Sequence, residues 1–340
     1  MSQWGFFTAV FLLTLLGTGV FRQLAFRVQL LDRPISRSAH AQPVPVGGGV
    51  IIVLLFGGAA GYFYLSGLLA FNQLMIAMAA LFIGGVGLLD DFWSLHVVWR
   101  VPLQTLAAVW VVVWLGGVGP INMGGVVLDN QLVLSILAVL ALLWLLNLYN
   151  FMDGIDGLAG SELLFVTFVS FSLVINSSDQ VVSALSATLF SAGAGFLVWN
   201  WPPAKLFMGD VGSSFIGFSL GILALFSMQS GSLSVWTWVI LLAVFIADAS
   251  VTLACRYLRG EKWYEGHASH AYQHAARHYK SHRRVTITIT GINGLWLAPL
   301  AWCSVNWPEA GMYIAMLALM PLVVLAIKLG AGKHAQAVTA

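Results

Sequence analysis

The chain has 340 residues, of which 15 are Lys or Arg and 13 are Asp or Glu, a net charge of +2 with histidine neutral. Charged residues make up 8% and hydrophobic residues 59%, against roughly a quarter charged in soluble domains, and the mean hydropathy is +0.89. A soluble fold would lack the polar surface to cover its core. So small a basic excess also excludes a nucleic-acid-binding field, and the composition predicts an all-α polytopic integral membrane protein.

Runs long enough to cross about 30 Å of hydrocarbon occur at 4–21, 46–65, 72–89, 101–116, 132–147, 158–176, 181–199, 213–229, 235–255, 285–304 and 310–328. The first has neither a basic leader nor a small-residue cleavage site and is expected to be a retained helix. Eleven spans with the N-terminus outside place the loops 22–45, 90–100, 148–157, 200–212 and 256–284 inside, together with the tail from 329. All fifteen Lys and Arg residues then fall in or beside these inner segments, and none in the outer loops, as the positive-inside rule requires. One transmembrane catalytic domain over 1–328 and a short inner tail, 329–340, are expected. Cys255 and Cys303 fall at opposite ends of successive spans, too far apart for the ~7 Å limit of a disulfide, and are expected to be free thiols.

Ionisable residues in so apolar a chain mark candidate sites. Five acids fall in three inner-face motifs. LLDDFW carries Asp90 and Asp91. NLYNFMDGIDGLAG carries Asn147, Asn150, Asp153 and Asp156 at three-residue spacing, so that 147, 150 and 153 would share one helix face. FMGDVGSSF carries Asp210 just before the eighth run, where helix N–H groups favour a phosphate. The alternative for each is a solvated helix cap. Carboxylates gathered on one face repel one another, and an oxygen-only donor set suits Mg²⁺ or Mn²⁺ with substrate phosphates completing the shell. In GHASHAYQHAARH, His267, His270, His274 and His278 follow helical spacing with Arg277. Zinc, a plain basic surface helix, and an anion-binding loop are the three readings open for it.

These three motifs and the histidine loop together resemble the polyprenyl-phosphate N-acetylhexosamine-1-phosphate transferases. That family includes the initiators of O-antigen and enterobacterial common antigen and the phospho-MurNAc-pentapeptide translocase. The likeness runs from about Pro34 to His278, and HAYQ after a histidine is most similar to the O-antigen initiators that take UDP-N-acetyl-6-deoxyhexosamines. The resemblance implies attack of undecaprenyl phosphate on the β-phosphorus of a UDP-N-acetylhexosamine, giving undecaprenyl-diphospho-sugar and UMP. It implies a Mg²⁺-dependent enzyme of the bacterial inner membrane, with a periplasmic N-terminus and the site on the cytoplasmic face.

By the same resemblance, Asp210 is the expected metal ligand, with Asn150. Asp90, with Asp91 beside it, would orient or deprotonate the lipid phosphate, and Asp153 and Asp156 would hold nucleotide or metal. His267 and His270 are expected at the diphosphate, Asn200 and Phe207 at the uracil, and His40 at the lipid phosphate. Arg100, Asn147 and His274 complete the expected substrate-binding set. The expected partners are the two substrates and the lipid bilayer, with room for a homodimer and no nucleic acid. UDP-N-acetylglucosamine is the alternative donor. An ion-coupled transporter, which also uses inner-face carboxylates and broken helices, is the alternative of another class.

Overall fold

The computed structural model describes residues 3–32, 43–261 and 267–333. Each apolar run forms helix, since hydrocarbon offers no partner to an unbonded backbone group. The helices are α1 (Gln3–Arg27), α2 (Val50–Leu65), α3 (Phe71–Trp93), α4 (Val97–Leu115), α5 (Gln131–Phe151), α6 (Leu158–Val174), α7 (Gln180–Asn200) and α8 (Gly209–Ser230). There follow α9 (Val235–Leu241), α10 (Ala243–Leu258), α11 (Ala271–Tyr279), α12 (His282–Ile292), α13 (Ala298–Asn306) and α14 (Gly311–Lys328). Side-chain caps start several of them: Asn130 Oδ1 accepts from the Val133 N–H at 3.2 Å and Asp179 Oδ1 from the Val182 N–H at 3.0 Å, satisfying donors a helix start leaves open.

Among the described residues, eight helical segments are long and apolar enough to cross a membrane, and a ninth span arises if α9 and α10, bent by 79°, are counted as one. The 16-residue α2 and the 17-residue α6 are also apolar but shorter. The eleven runs read from the sequence coincide with these segments, while length and composition support eight or nine spans. Two apolar runs are not plain helices: 235–255 breaks at Leu242, and 285–304 contains a five-residue π-helix, Asn293–Leu297, between α12 and α13.

α8 is buried from Val211 to Ser227, and α3, α5, α2 and α7 pack around it. α1 lies against α7, α4 against α3, and α14 braces α9, α10 and α13. Residues such as Leu16, Val113, Leu132 and Met320 are well exposed on the outer helices, a surface suited to lipid and costly in water. Cys255 and Cys303 are free thiols. The chain just after α14 is docked: Ala331 is buried, the Gly332 N–H donates to Ser269 O at 2.7 Å, and Arg259 donates to Gly332 O at 2.6 Å. The short tail expected from 329 is therefore built into the fold as far as Lys333.

The start of α8 fits only because its neighbours lack side chains. A Cβ at Gly49 would strike Gly212 Cα, and one at Gly87 would strike the Asp210 carbonyl. Gly49→Ala is expected to lower unfolding stability in detergent by about 1–3 kcal/mol, the scale of overpacking a tight contact. Gly58→Ala in α2, where nothing lies within 4 Å, should leave the melting temperature unchanged or slightly raised, as alanine is the better helix former. Intrinsic tryptophan fluorescence on heating measures both.

Candidate active site

The three acidic motifs meet because α3, α5 and α8 end or begin at the same end of the bundle. There they line a cavity of about 320 Å³ together with the histidine loop and the chain after α1. Its walls include Asp32, Asp91, Asn150, Asp153, Asp156, Asn200, Phe207, Asp210, Ser213, His267, Gln273 and His282. Five of these are carboxylates, and among the described residues no Lys or Arg lines the wall.

Asp91 takes the place assigned above to a phosphate. Its two oxygens accept from the Asp210 N–H at 2.8 Å and the Val211 N–H at 3.1 Å. It thus caps α8 at the positive end of the helix dipole, where a carboxylate is favoured. The expectation that these N–H groups bind a phosphate is corrected accordingly. Gly209 makes the approach possible, with φ +78° and a position where a Cβ would meet Asp91 Oδ2.

Asp90 faces the other way: it accepts from the Leu95 N–H at 2.6 Å and pairs with Arg100 at 2.6 Å. The same guanidinium nitrogen lies 3.6 Å from Asp210 Oδ2, so Arg100 bridges two motif carboxylates at the cavity's edge. The Asn150 amide donates to Asp210 Oδ1 at 2.7 Å and Ser213 Oγ at 3.0 Å, which orients Asp210. Asp156 joins three segments: its Oδ2 accepts from the Ala204 N–H at 3.0 Å, its Oδ1 lies 3.2 Å from His282 Nδ1, and its carbonyl accepts from Thr286 Oγ1 at 3.0 Å. Burial, reinforced by Asp210, Asp91 and Asp156, pushes the Asp153 carboxyl well above the usual carboxylate range.

Several predicted residues are placed otherwise. The Asn147 amide bonds back to Leu143 O at 2.8 Å and does not reach the cavity wall. Asn200 does line it, but its side chain is buried and ties Gly157 N–H to Leu206 O, both at 3.0 Å, so it builds the wall. His270 is buried behind the wall, stacked on His267 with ring centroids 4.9 Å apart, and its Nδ1 meets Asp248 Oδ1 at 3.1 Å. His274 points away, to Lys333 O and Arg277, both at 3.1 Å, and burial together with Arg277 lowers its pKa. It braces the C-terminal segment, away from the cavity wall where a substrate-binding residue was expected. His40 lies outside the described residues.

Asp32, Ser213, Gln273 and His282 line the cavity without having been singled out. His282 continues the i, i+4 series from His274 and His278, which was a readable signal; Asp32 carried none. Asp248 is an acid within the apolar run 235–255. It accepts from the Ala271 N–H and Tyr272 N–H, both at 2.9 Å, as well as meeting His270, and so caps α11 and sets the histidine wall.

A divalent cation fits this donor set. The wall is rich in carboxylate oxygen, five Asp side chains whose mutual repulsion a cation would relieve. Among the described residues no three acidic, Cys or His groups stand close enough to hold an ion alone. That arrangement suits Mg²⁺, which commonly takes one or two carboxylates and completes its shell with water and phosphate. Replacing Asp91 by Ala should cost about 1–2 kcal/mol of unfolding stability, the worth of a helix cap. Asn, which keeps one accepting oxygen, should cost less, and detergent melting of the two variants measures the difference.

The sequence pattern of glycosyl transferase family 4 matches residues 73–228, the stretch holding all three acidic motifs. The decaprenyl-phosphate N-acetylglucosaminephosphotransferase of Mycobacterium tuberculosis H37Rv is 29% identical over 335 residues, covering 86% of this chain and 79% of that protein. A probable undecaprenyl-phosphate N-acetylglucosaminyl 1-phosphate transferase of Bacillus subtilis is 27% identical, covering 83% and 80%. The phospho-N-acetylmuramoyl-pentapeptide-transferase of Synechococcus sp. CC9311 is 31% identical over 272 residues, covering 75% and 72%. With its motif acids converging on one cavity and this likeness over most of its length, the chain belongs to glycosyl transferase family 4, among the polyprenyl-phosphate hexosamine-1-phosphate transferases.

Proposed function

We propose that the protein transfers an N-acetylhexosamine-1-phosphate from a UDP-sugar to undecaprenyl phosphate on the cytoplasmic face of a bacterial inner membrane. The observation that carries this reading is the carboxylate-walled cavity at the end of a lipid-facing bundle. Its carboxylates would favour a soluble anion that arrives with a cation, and a lipid phosphate would approach it from the surrounding bilayer. The relatives' names point to N-acetylglucosamine as the donor sugar at least as strongly as the HAYQ likeness points to a 6-deoxyhexosamine. O-antigen initiation is one pathway that fits either donor. The transporter alternative loses support: among the described residues, none of the bent pair α9–α10 lines the cavity, whereas a carrier would use its broken helix at the site.

The chain's residues divide the work by position. Asp210, oriented by Asn150, would hold Mg²⁺ against the diphosphate, and that ion supplies charge neutralisation at the transferring phosphorus. Arg100 and Asp90 at the cavity's edge would place the lipid phosphate. His267 and Gln273 on the cavity wall would face the diphosphate, and Phe207 offers a ring to the uracil. A phosphate monoester has its second pKa near 6 and is largely a dianion at pH 7. Its oxygen forms a bond to the β-phosphorus as the bond to the UMP oxygen breaks. Two dianions then give two dianions, and no proton has to move. Single in-line displacement follows, without a phospho-enzyme.

In detergent with undecaprenyl phosphate, Mg²⁺ and a panel of UDP-N-acetyl sugars, UMP release is expected to need both lipid and metal. Asp210→Asn should lower it by roughly a hundredfold or more, the scale of losing a preorganised charge contact. Release without lipid, or full activity in that variant, would count against the reading. Because one diphosphate is exchanged for another, excess UMP should regenerate UDP-sugar from the purified lipid product.

A further inference from the structure

Deeper in the bundle than the cavity, α6 meets the π-helix that continues α12 through a polar contact. Glu162 and Asn293 are each 1% exposed, and the Asn293 amide donates to Glu162 Oε2 at 2.6 Å. The other two oxygens of this pair, Glu162 Oε1 and Asn293 Oδ1, are both buried and have no hydrogen-bond partner among the described residues. As a carboxylate, Glu162 would leave two buried acceptors unpartnered, each a loss comparable to an unmade hydrogen bond, and a buried charge with no cation paired to it among the described residues. One proton on Oε1, donated to Asn293 Oδ1, satisfies both at once and closes a reciprocal acid–amide pair. Tyr149, a titratable group on α5 that feels the charge of Glu162, gives its hydroxyl to Ala159 O at 2.6 Å.

The pair sits where it can set the cavity wall. His282, Thr286 and Asn293 are spaced by four and seven residues and so share one face of the helix. The first two hold Asp156, which precedes α6 by two residues, and the third holds Glu162 in α6 itself. Asn293 also opens the π-helix, with the Ala298 N–H reaching back to Asn293 O, an irregularity often found beside functional sites. We propose that Glu162 is a neutral carboxylic acid whose reciprocal pair with Asn293 latches α12 to α6 and thereby positions His282 against Asp156 at the cavity.

The test compares the full chain with Glu162→Gln and Glu162→Met in detergent. An infrared difference spectrum between the wild type and Glu162→Gln at neutral pH should show a carboxylic acid C=O stretch belonging to Glu162. A carboxylate stretch in its place would overturn the inference. Glutamine can reproduce both bonds, so Glu162→Gln should keep the wild-type melting temperature and, within about twofold, its donor KM. Methionine fills the space without the bonds and should raise the donor KM by at least about fivefold, in line with one or two lost buried hydrogen bonds. Equal losses in Gln and Met, or no change in Met, would sink it. The KM arm rests on the transferase reading and the infrared and melting arms do not; a wild type that releases no UMP would fail that reading alone.

Discussion

The contact on which the site depends is the carboxylate of Asp91 at the first N–H groups of α8. It joins the end of α3 to the start of a helix that is buried over nearly its whole length. Its partners are backbone N–H groups, whose positions the helix itself fixes. Gly49, Gly87 and Gly209 let the chains come close enough for those bonds to form. Once they are made, Asp210 stands at a fixed distance from Asp90 and Arg100, and Asn150 on α5 can reach it. The metal-binding and lipid-placing candidates are thus measured from one helix cap.

Electrostatics follow from the same convergence. Asp32, Asp91, Asp153, Asp156 and Asp210 surround one cavity, while Arg100 serves its edge and not its wall. Burial, with these neighbouring carboxylates, makes Asp153 hold its proton to higher pH than a solvated aspartate would. Five carboxylates around one cavity disfavour a lone anion, which is why a cation is part of the proposed chemistry. The guanidinium that bridges Asp90 and Asp210 sits where a second phosphate would also be drawn, so the two substrates would approach from different sides of Asp210.

The far wall is held together by polar contacts between segments. Asp248 on the bent α10 caps α11 and holds His270, on which His267 is stacked. Asp156 gathers the 201–208 segment and α12, and Glu162 with Asn293 ties α6 to the same helix deeper in the bundle. Buried polar groups whose partners are supplied in full specify one arrangement and do not merely cost stability.

Much of this was legible beforehand for identifiable reasons. Bilayer thickness sets a minimum length for an apolar run, so the helical segments could be located from hydropathy, and Lys and Arg on one side of the count supplied an expected orientation. The motifs NFMDGIDGLAG and FMGDVGSSF are long enough to signal a site, and Asp153, Asp156, Asp210, Asn150 and His267 do meet at one cavity. What only the tertiary structure decided is which way each polar side chain is spent. Asn147 bonds its own helix, His274 turns to the C-terminal segment and Asn200 staples two loops. Spacing along a helix fixes the face a residue occupies, and packing alone fixes the neighbour across from that face. Asp91 is a helix cap because α3 packs on α8 and brings it to the Asp210 N–H, 119 residues away in sequence, a separation across which no local pattern in the chain could have specified the contact.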